Sequence, residues 1–288
     1  MKTFDEIYDE LENADNSEIN NLLEEIKIRR KKAHKIAIII CLVIDIIIFL
    51  MFWKKGLNAT SLYIILIALI INLFLFIIVE AATGVSKKKA EFNTKYKNIV
   101  IGKLINNFYN SVEYFPDKPM PEYMYRQLEY EHYNRYKSDD YLEAQIDNKY
   151  SIQMAEIHTE EEETYRDSDG HTHTRTYTRF HGLFAKIILD KSIKSDLKIV
   201  LDGKMLLGKN KLKMDSSEFE KIFDVKASDK IIGMQLLTAD VMEELVEFKN
   251  NTNMPYDIYI TNNELYLRFH SGSMFEPRSL KNGVLNRN

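Results

Sequence analysis

The chain has 288 residues, 45% hydrophobic, 28% charged and 11% aromatic, so it can bury a substantial core and is neither disordered nor collagen-like. A formal net charge of -4 and a pI near 6.0 argue against a surface built for nucleic acid. The single cysteine, Cys41, excludes an intramolecular disulfide and a cysteine-based zinc site.

The mean hydropathy of -0.31 averages two intensely apolar stretches with a polar remainder. Before the first stretch, residues 1–35 place Phe4, Ile7, Tyr8 and Leu11, then Ile19, Leu22, Leu23 and Ile26, at intervals of three and four. That spacing predicts amphipathic helices, broken near Asn13 to Ser17, with Ser17 as an N-cap. Residues 36–53 (IAIIICLVIDIIIFLMFW) and 62–79 (LYIILIALIINLFLFIIV) are each long enough to cross a hydrocarbon layer. A cleaved signal peptide fits poorly, because a long polar segment precedes the first run and no small-residue cleavage site follows it. The prediction is a transmembrane helical hairpin within residues 36–83. Arg29, Arg30, Lys31, Lys32 and Lys35 precede it, and Lys87, Lys88, Lys89, Lys95 and Lys97 follow it, which predicts cytoplasmic termini. Lys54 and Lys55 in the short loop count against this orientation.

Asp45 and Asn72 fall at membrane depth, about one helical turn apart when both spans are counted from the loop. They form a candidate polar pair. One reading has them tie the two helices, or two subunits, together. The other gives Asp45 a proton or ion role, which with two spans per chain requires an oligomer.

The second span is expected to continue as a helix from Lys87 through Ile99, Val100 and Leu104 to Phe108. Residues 84–120 then read as a helical stalk ending in a rigid turn, with three prolines between Phe115 and Pro121. Its lysines serve as a topology signal, or alternatively hold anionic headgroups. Tyr123, Tyr125, Tyr130, Tyr133 and Tyr136, at mixed spacing among acids, read as packing residues and not as a base-stacking platform.

Residues 121–288 read as a cytosolic α+β domain. From Tyr141 the texture alternates, and a long β-hairpin turns at Asp167 to Gly170. Folding it there predicts Glu162 near Arg175 and Glu160 near Tyr177. The outer half is polar on both faces and is expected to project as a contact arm presenting Glu160, Glu162, Arg166, His171, His173 and Arg175. Further strands are predicted at Leu197 to Leu201, Phe223 to Ala227 and Lys230 to Leu237. Ser216 to Ile222 reads as a helical turn, and Thr238 caps a helix bearing Val241, Met242, Leu245, Val246 and Phe248. Asp257 to Thr261 and Glu264 to Phe269 read as a second hairpin joined at Asn262 and Asn263.

The ordered series Asp140-Tyr141, Glu156 to His158, Phe180 to Phe184, Phe219 to Phe223, Leu237-Thr238, Met242 to Leu245 and Glu264 to Tyr266 resembles the bacterial domain-of-unknown-function 3137 family. The resemblance runs from about Tyr130 to Pro277; Ala239 stands where the family usually has proline after the threonine. It implies this fold and a bacterial-type plasma-membrane location with spans ahead of the domain. It carries no catalytic residues.

Constellations with chemistry are sparse. His171, His173 and His181 share one parity, and Glu156, His158, Glu160 and Glu162 share another, but pairing spreads them along a ribbon instead of converging them on an ion. No Gly-rich phosphate loop, Ser-His-Asp set, HExxH or paired-cysteine motif occurs. Gly182, between Phe180 and Phe184, marks a bulge or a close backbone approach. The expectation is therefore a membrane-anchored binding or scaffold module without cofactor or metal. Its partners are the lipid bilayer and a protein held by the polar hairpin or a lipid headgroup, with a homo-oligomer through the spans and no nucleic acid. The alternatives are a metal-dependent hydrolase using His158 and nearby carboxylates, and a small pore or proton path lined by Asp45.

Overall fold

The structure, a computed structural model, describes residues 4–13, 17–52, 59–147, 149–201 and 210–277. These fall into two compact units, within Lys2–Val100 and Ile101–Glu276.

The first unit is helical. Helix α1 (Phe4–Asn13) is followed by α2 (Ser17–Phe52), α3 (Ala59–Ala82) and α4 (Val85–Tyr96). α2 is one uninterrupted helix of 36 residues, about 54 Å at 1.5 Å per residue, so it is longer than a bilayer core. Its first half is amphipathic, with Ile19, Leu22, Leu23 and Ile26 buried on one stripe. Ion pairs of Arg29 with Glu25 and of Lys88 with Glu25 tie that half along itself and to α4. Ala33 and Ala37 pack with Val79 of α3, small side chains that let the two helices approach closely. Farther on, both helices turn large apolar side chains outward, among them Ile39, Leu50, Leu73 and Phe74. Ser17–Leu50 and Tyr63–Ala82 contain segments long and apolar enough to cross a membrane. The predicted loop, with Lys54 and Lys55, lies outside the described residues, as do the side chains of Phe4 and Tyr8.

The helix predicted to run on from the second span is instead interrupted. Gly84, at φ +72°, breaks the helix between α3 and α4 without turning the chain back, since Lys88 and Lys95 of α4 go on pairing with Glu25 and Glu18 of α2, and Arg29 donates to the Thr83 carbonyl at 3.2 Å. A π-helical turn, Lys97–Ile101, then leads to α5 (Gly102–Phe108).

The second unit is a seven-stranded antiparallel sheet with helices, the α+β class that the segregated pattern predicts. Its elements are β1 (Asn110–Phe115), α6 (Glu122–Arg126), β2 (Arg135–Ile146), β3 (Tyr150–Arg166), β4 (Thr172–Leu201), β5 (Lys211–Leu212), α7 (Ser217–Glu220), β6 (Phe223–Ala227), α8 (Lys230–Leu236), α9 (Ala239–Thr252) and β7 (Tyr256–Phe269). The order is β1-β2-β3-β4-β6-β5, with β7 on β4. β4 organises the sheet: its first part pairs with β3, its last with β6, and Leu183 to Ile199 with β7.

Two predictions for the C-terminal half are corrected. Lys230 to Leu237 is not a strand but α8, because the Asp229 side chain accepts from the Ile231 and Ile232 amides and starts a helix. Residues 257–269 do not form a hairpin. β7 continues past Asn262 and pairs with β4 on both sides of it. A two-residue type I′ turn needs positive φ at both asparagines, and only Asn262 has it, at 52°. The residue kinks the strand, opposite a bulge in β4, and does not reverse it. β1 and the start of β2 were not anticipated, and the proline-rich segment turns between them, with the Lys118 amide donating to the Phe115 carbonyl at 3.2 Å.

Two cores result. In one, Met242 and Val246 of the Thr238-capped α9 pack with Phe219, Phe223 and Tyr256. In the other, Tyr125, Tyr133, Phe180, Phe184 and Tyr266 pack with Ile157, and Tyr130 and Tyr136 lie against them, the packing role expected of Tyr125, Tyr130, Tyr133 and Tyr136; Tyr123 is exposed and does not share it.

Candidate functional site

The β3–β4 ribbon turns where predicted. Asp167 organises the turn by accepting from the amides of Asp169 at 3.0 Å and His171 at 2.8 Å, and from His173 Nε2 at 2.7 Å. The His173 bond, followed by those amides, holds the Asp167 carboxyl below its usual range. The register differs by one residue from the prediction: Glu163 faces Arg175, Glu162 faces Thr176, and Glu160 faces Thr178. The cause is a five-residue turn, in which the Asp167 amide also donates to the His171 carbonyl at 3.0 Å.

The expected arm residues therefore do not converge. Arg175 stacks over Tyr165 at 4.3 Å, and His173 stacks on the same ring at 5.4 Å. Glu162 pairs with Arg135 at 2.5 Å, and Asn134 fixes its backbone by two bonds of 2.8 Å. Arg166 and His171 are exposed beside the turn. Glu160 lies 3.7 Å from His158 Nε2. Glu161, outside the expected arm set, takes both Arg179 and His132 and is held below the usual carboxylate range by them.

At the base of the ribbon the sheet carries a second constellation. Lys137, His158 and His181 stand directly opposite one another on β2, β3 and β4. The imidazoles stack with centroids 4.5 Å apart and planes 21° from parallel. His181 Nε2 is 3.2 Å from Ser273 Oγ. These four residues line a cavity of about 260 Å³ together with Ser138, Asp139, Glu156 and Ile157. Burial, then the nearby His181, keeps the His158 pKa below its usual value, although Glu160 pulls the other way. The segment after β7 reaches one lining residue: the Met274 and Phe275 amides donate to the Glu156 carboxylate, the latter at 2.9 Å. Gly182 is the close approach predicted for it, since a Cβ there would sit 1.9 Å from the Phe269 carbonyl oxygen.

Behind this face lies a buried ionic cluster. Arg268 donates to Asp257 at 2.9 Å, to Glu131 at 2.5 Å and to the Tyr125 hydroxyl at 3.0 Å, and covers the Tyr130 ring at 3.8 Å. Burial opposes the guanidinium's charge, but Tyr125, Glu131 and Asp257 outweigh it and raise its pKa. His270 adds a 3.0 Å contact to Asp257. Every donor points at a partner within the core, so the cluster is structural. Asp139, Asp140 and Glu276 bring carboxylates within 4.8 Å of one another, and Asp140 is bonded by Tyr114.

In the helical unit, Asn72 Nδ2 donates to Asp45 Oδ1 at 3.0 Å, which joins the two polar residues placed at membrane depth. Cys41 is a free thiol on the same helix as Asp45.

Comparison with known families bears on the C-terminal part of this architecture. Residues 178–288 match the family model described as Protein of unknown function (DUF3137). The family resemblance is thus shown over the stretch that contains most of β4 and everything described after it. The Asp140-Tyr141 and Glu156 to His158 pieces of the resemblance lie ahead of the matched residues. No curated protein and no solved structure matches the chain.

Proposed function

We propose that the chain is a membrane-anchored binding module, with α2 and α3 as the anchor and the outer β3–β4 ribbon as its contact arm. The observation that carries this reading is the outward apolar surface of the two helices: Leu50 is 65% exposed and Leu73 68%, a surface that only lipid or another apolar partner satisfies. Lys31, Lys32 and Lys35 before the first span and Lys87 and Lys89 after the second support cytoplasmic termini. The Asn72–Asp45 bond supports the reading in which this pair ties the hairpin together. The ribbon from Thr172 to Arg179 is exposed on both faces, which supports a role in contacting a protein partner.

The test uses the full-length protein in its native membrane. Alkaline carbonate should leave it in the membrane pellet and detergent should release it. A photo-crosslinking residue at Tyr177 should give a discrete adduct that the same residue at Glu218 on α7 does not. Extraction by carbonate would overturn the anchor. Identical labelling at the two positions would overturn the arm.

A further inference from the structure

The ribbon reading leaves the cavity at its base unused, and the chemistry of that cavity points elsewhere. Its floor is two adjacent rows of one sheet face. In one row Asp139 faces Glu156, and in the next Lys137 faces His158, which faces His181. An acidic row beside a basic row would ordinarily neutralise it. Here Glu156, 4% exposed, is turned to the backbone amides of Met274 and Phe275, and its charge is satisfied by that segment. Asp139 lies grouped with Asp140 and Glu276, and among the described residues the carboxylate found against the basic row is that of Glu160. Glu160 is 3.7 Å from His158 Nε2, outside hydrogen-bonding distance, and the two imidazoles otherwise approach hydroxyls, Thr178 Oγ1 at 3.5 Å and Ser273 Oγ at 3.2 Å. Three side chains that repel one another when protonated, with a serine hydroxyl beside them, thus share one cavity of about 260 Å³.

A ligand that settles this arrangement must be rich in acceptors and negatively charged. It would take hydrogen bonds from an ammonium, imidazole N–H groups and a hydroxyl, and would screen the like charges from each other. The space admits a phosphate with a few further atoms. We propose that the cavity formed by Lys137, His158, His181 and Ser273 binds a phosphoryl oxyanion. The groups facing it are Lys137 and Asp139 from β2, Glu156, His158 and Glu160 from β3, His181 from β4 and Ser273 from the segment after β7. Because the His158 imidazole must take up a proton to serve as a double donor, its contribution to binding grows as the pH falls. This inference does not depend on the ribbon contacting a partner.

The experiment titrates inorganic phosphate into the full-length chain in nanodiscs of neutral lipid, near pH 6 and near pH 8, with calorimetry and histidine ring NMR as readouts. Saturable binding is expected, with the His158 contribution, read as the native chain against His158→Gln, larger at the lower pH. The His158 and His181 ring signals should move together. Lys137→Met, His158→Gln and His181→Gln should each weaken binding by roughly tenfold or more, and near pH 8, where His158 is neutral in both the folded and unfolded chain, each should keep the native melting temperature. Glycerol phosphate in solution and phosphatidic acid in the nanodisc separate the two sources of the group: a response to either supports the site and identifies which. No saturable response to any of the three would overturn the proposal. So would a Zn²⁺ titration that moves both imidazoles while phosphate does not, since that marks a cation site.

Discussion

Replacing Arg268 by methionine tests the account of the aromatic core. The variant keeps an apolar stem in a site that is 5% exposed, but takes the guanidinium from Asp257, 1% exposed, and from Glu131. Breaking a buried pair by removing one partner costs about 3–5 kcal/mol, because the remaining carboxylates lose the charge that offset their desolvation. For a unit of this size each kcal/mol moves the melting temperature by about 2–4 °C, so the expected fall is roughly 6–20 °C. Adding Asp257→Asn should restore part of the loss, since the double variant no longer buries that carboxylate without its cation. The assay is thermal unfolding of full-length protein in mild detergent, followed by circular dichroism in the β-sheet region. A fall under about 4 °C, or a double variant less stable than Arg268→Met, would refute the reasoning.

Three further outcomes are expected. Gly182→Ala places a Cβ 1.9 Å from the Phe269 oxygen and 2.7 Å from the Ser271 nitrogen; both are backbone atoms, so the same melting assay should show a loss near 3 kcal/mol, the upper end of ordinary overpacking. Asn72→Leu removes the 3.0 Å bond to Asp45 and should weaken the helical hairpin by about 1 kcal/mol in a steric-trapping measurement in bicelles, whereas an unchanged value would show that the bond contributes nothing there. His158 has a folded-state pKa below 6.5, so the unfolded chain binds its proton first. The resulting penalty is complete below the folded pKa and disappears as pH rises past about 6.5. Melting temperature should therefore climb with pH across that window more steeply in the native chain than in His158→Gln, and parallel curves would exclude this.

What the sequence discloses here depends on how local each determinant is. The two long apolar helices are legible because each run is of membrane length and carries one strongly polar residue, and helical counting from the loop sufficed to pair Asp45 with Asn72. The ribbon is legible through its turn residues. Its register is not, since that depends on which backbone amide closes the turn, and a slip of one moves Arg175 from Glu162 to Glu163. The pair Asn262-Asn263 is compatible with a reversal or with a kinked strand, and only the pairing partner, β4, decides between them. The cavity was half visible: histidine parity could be read along each strand, but Lys137 could not join them while β2 went unread before Tyr141. Arg268 and Glu131 are far apart in sequence, and neither carries a local mark of the other.

The central position of β4 has a consequence for synthesis. Its edge along Leu183 to Ile199 is completed only by β7, which leaves the ribosome after α7, β6, α8 and α9. Until then an unpaired row of amides and carbonyls stands open on a long, partly apolar strand, a template for mispairing with a neighbouring chain. By that stage the two apolar helices have long since emerged. With α2 and α3 as the proposed membrane anchor, the nascent domain would be held at a bilayer surface while it waits for its last strand, which spaces unfinished copies apart during the interval when they are most prone to aggregate.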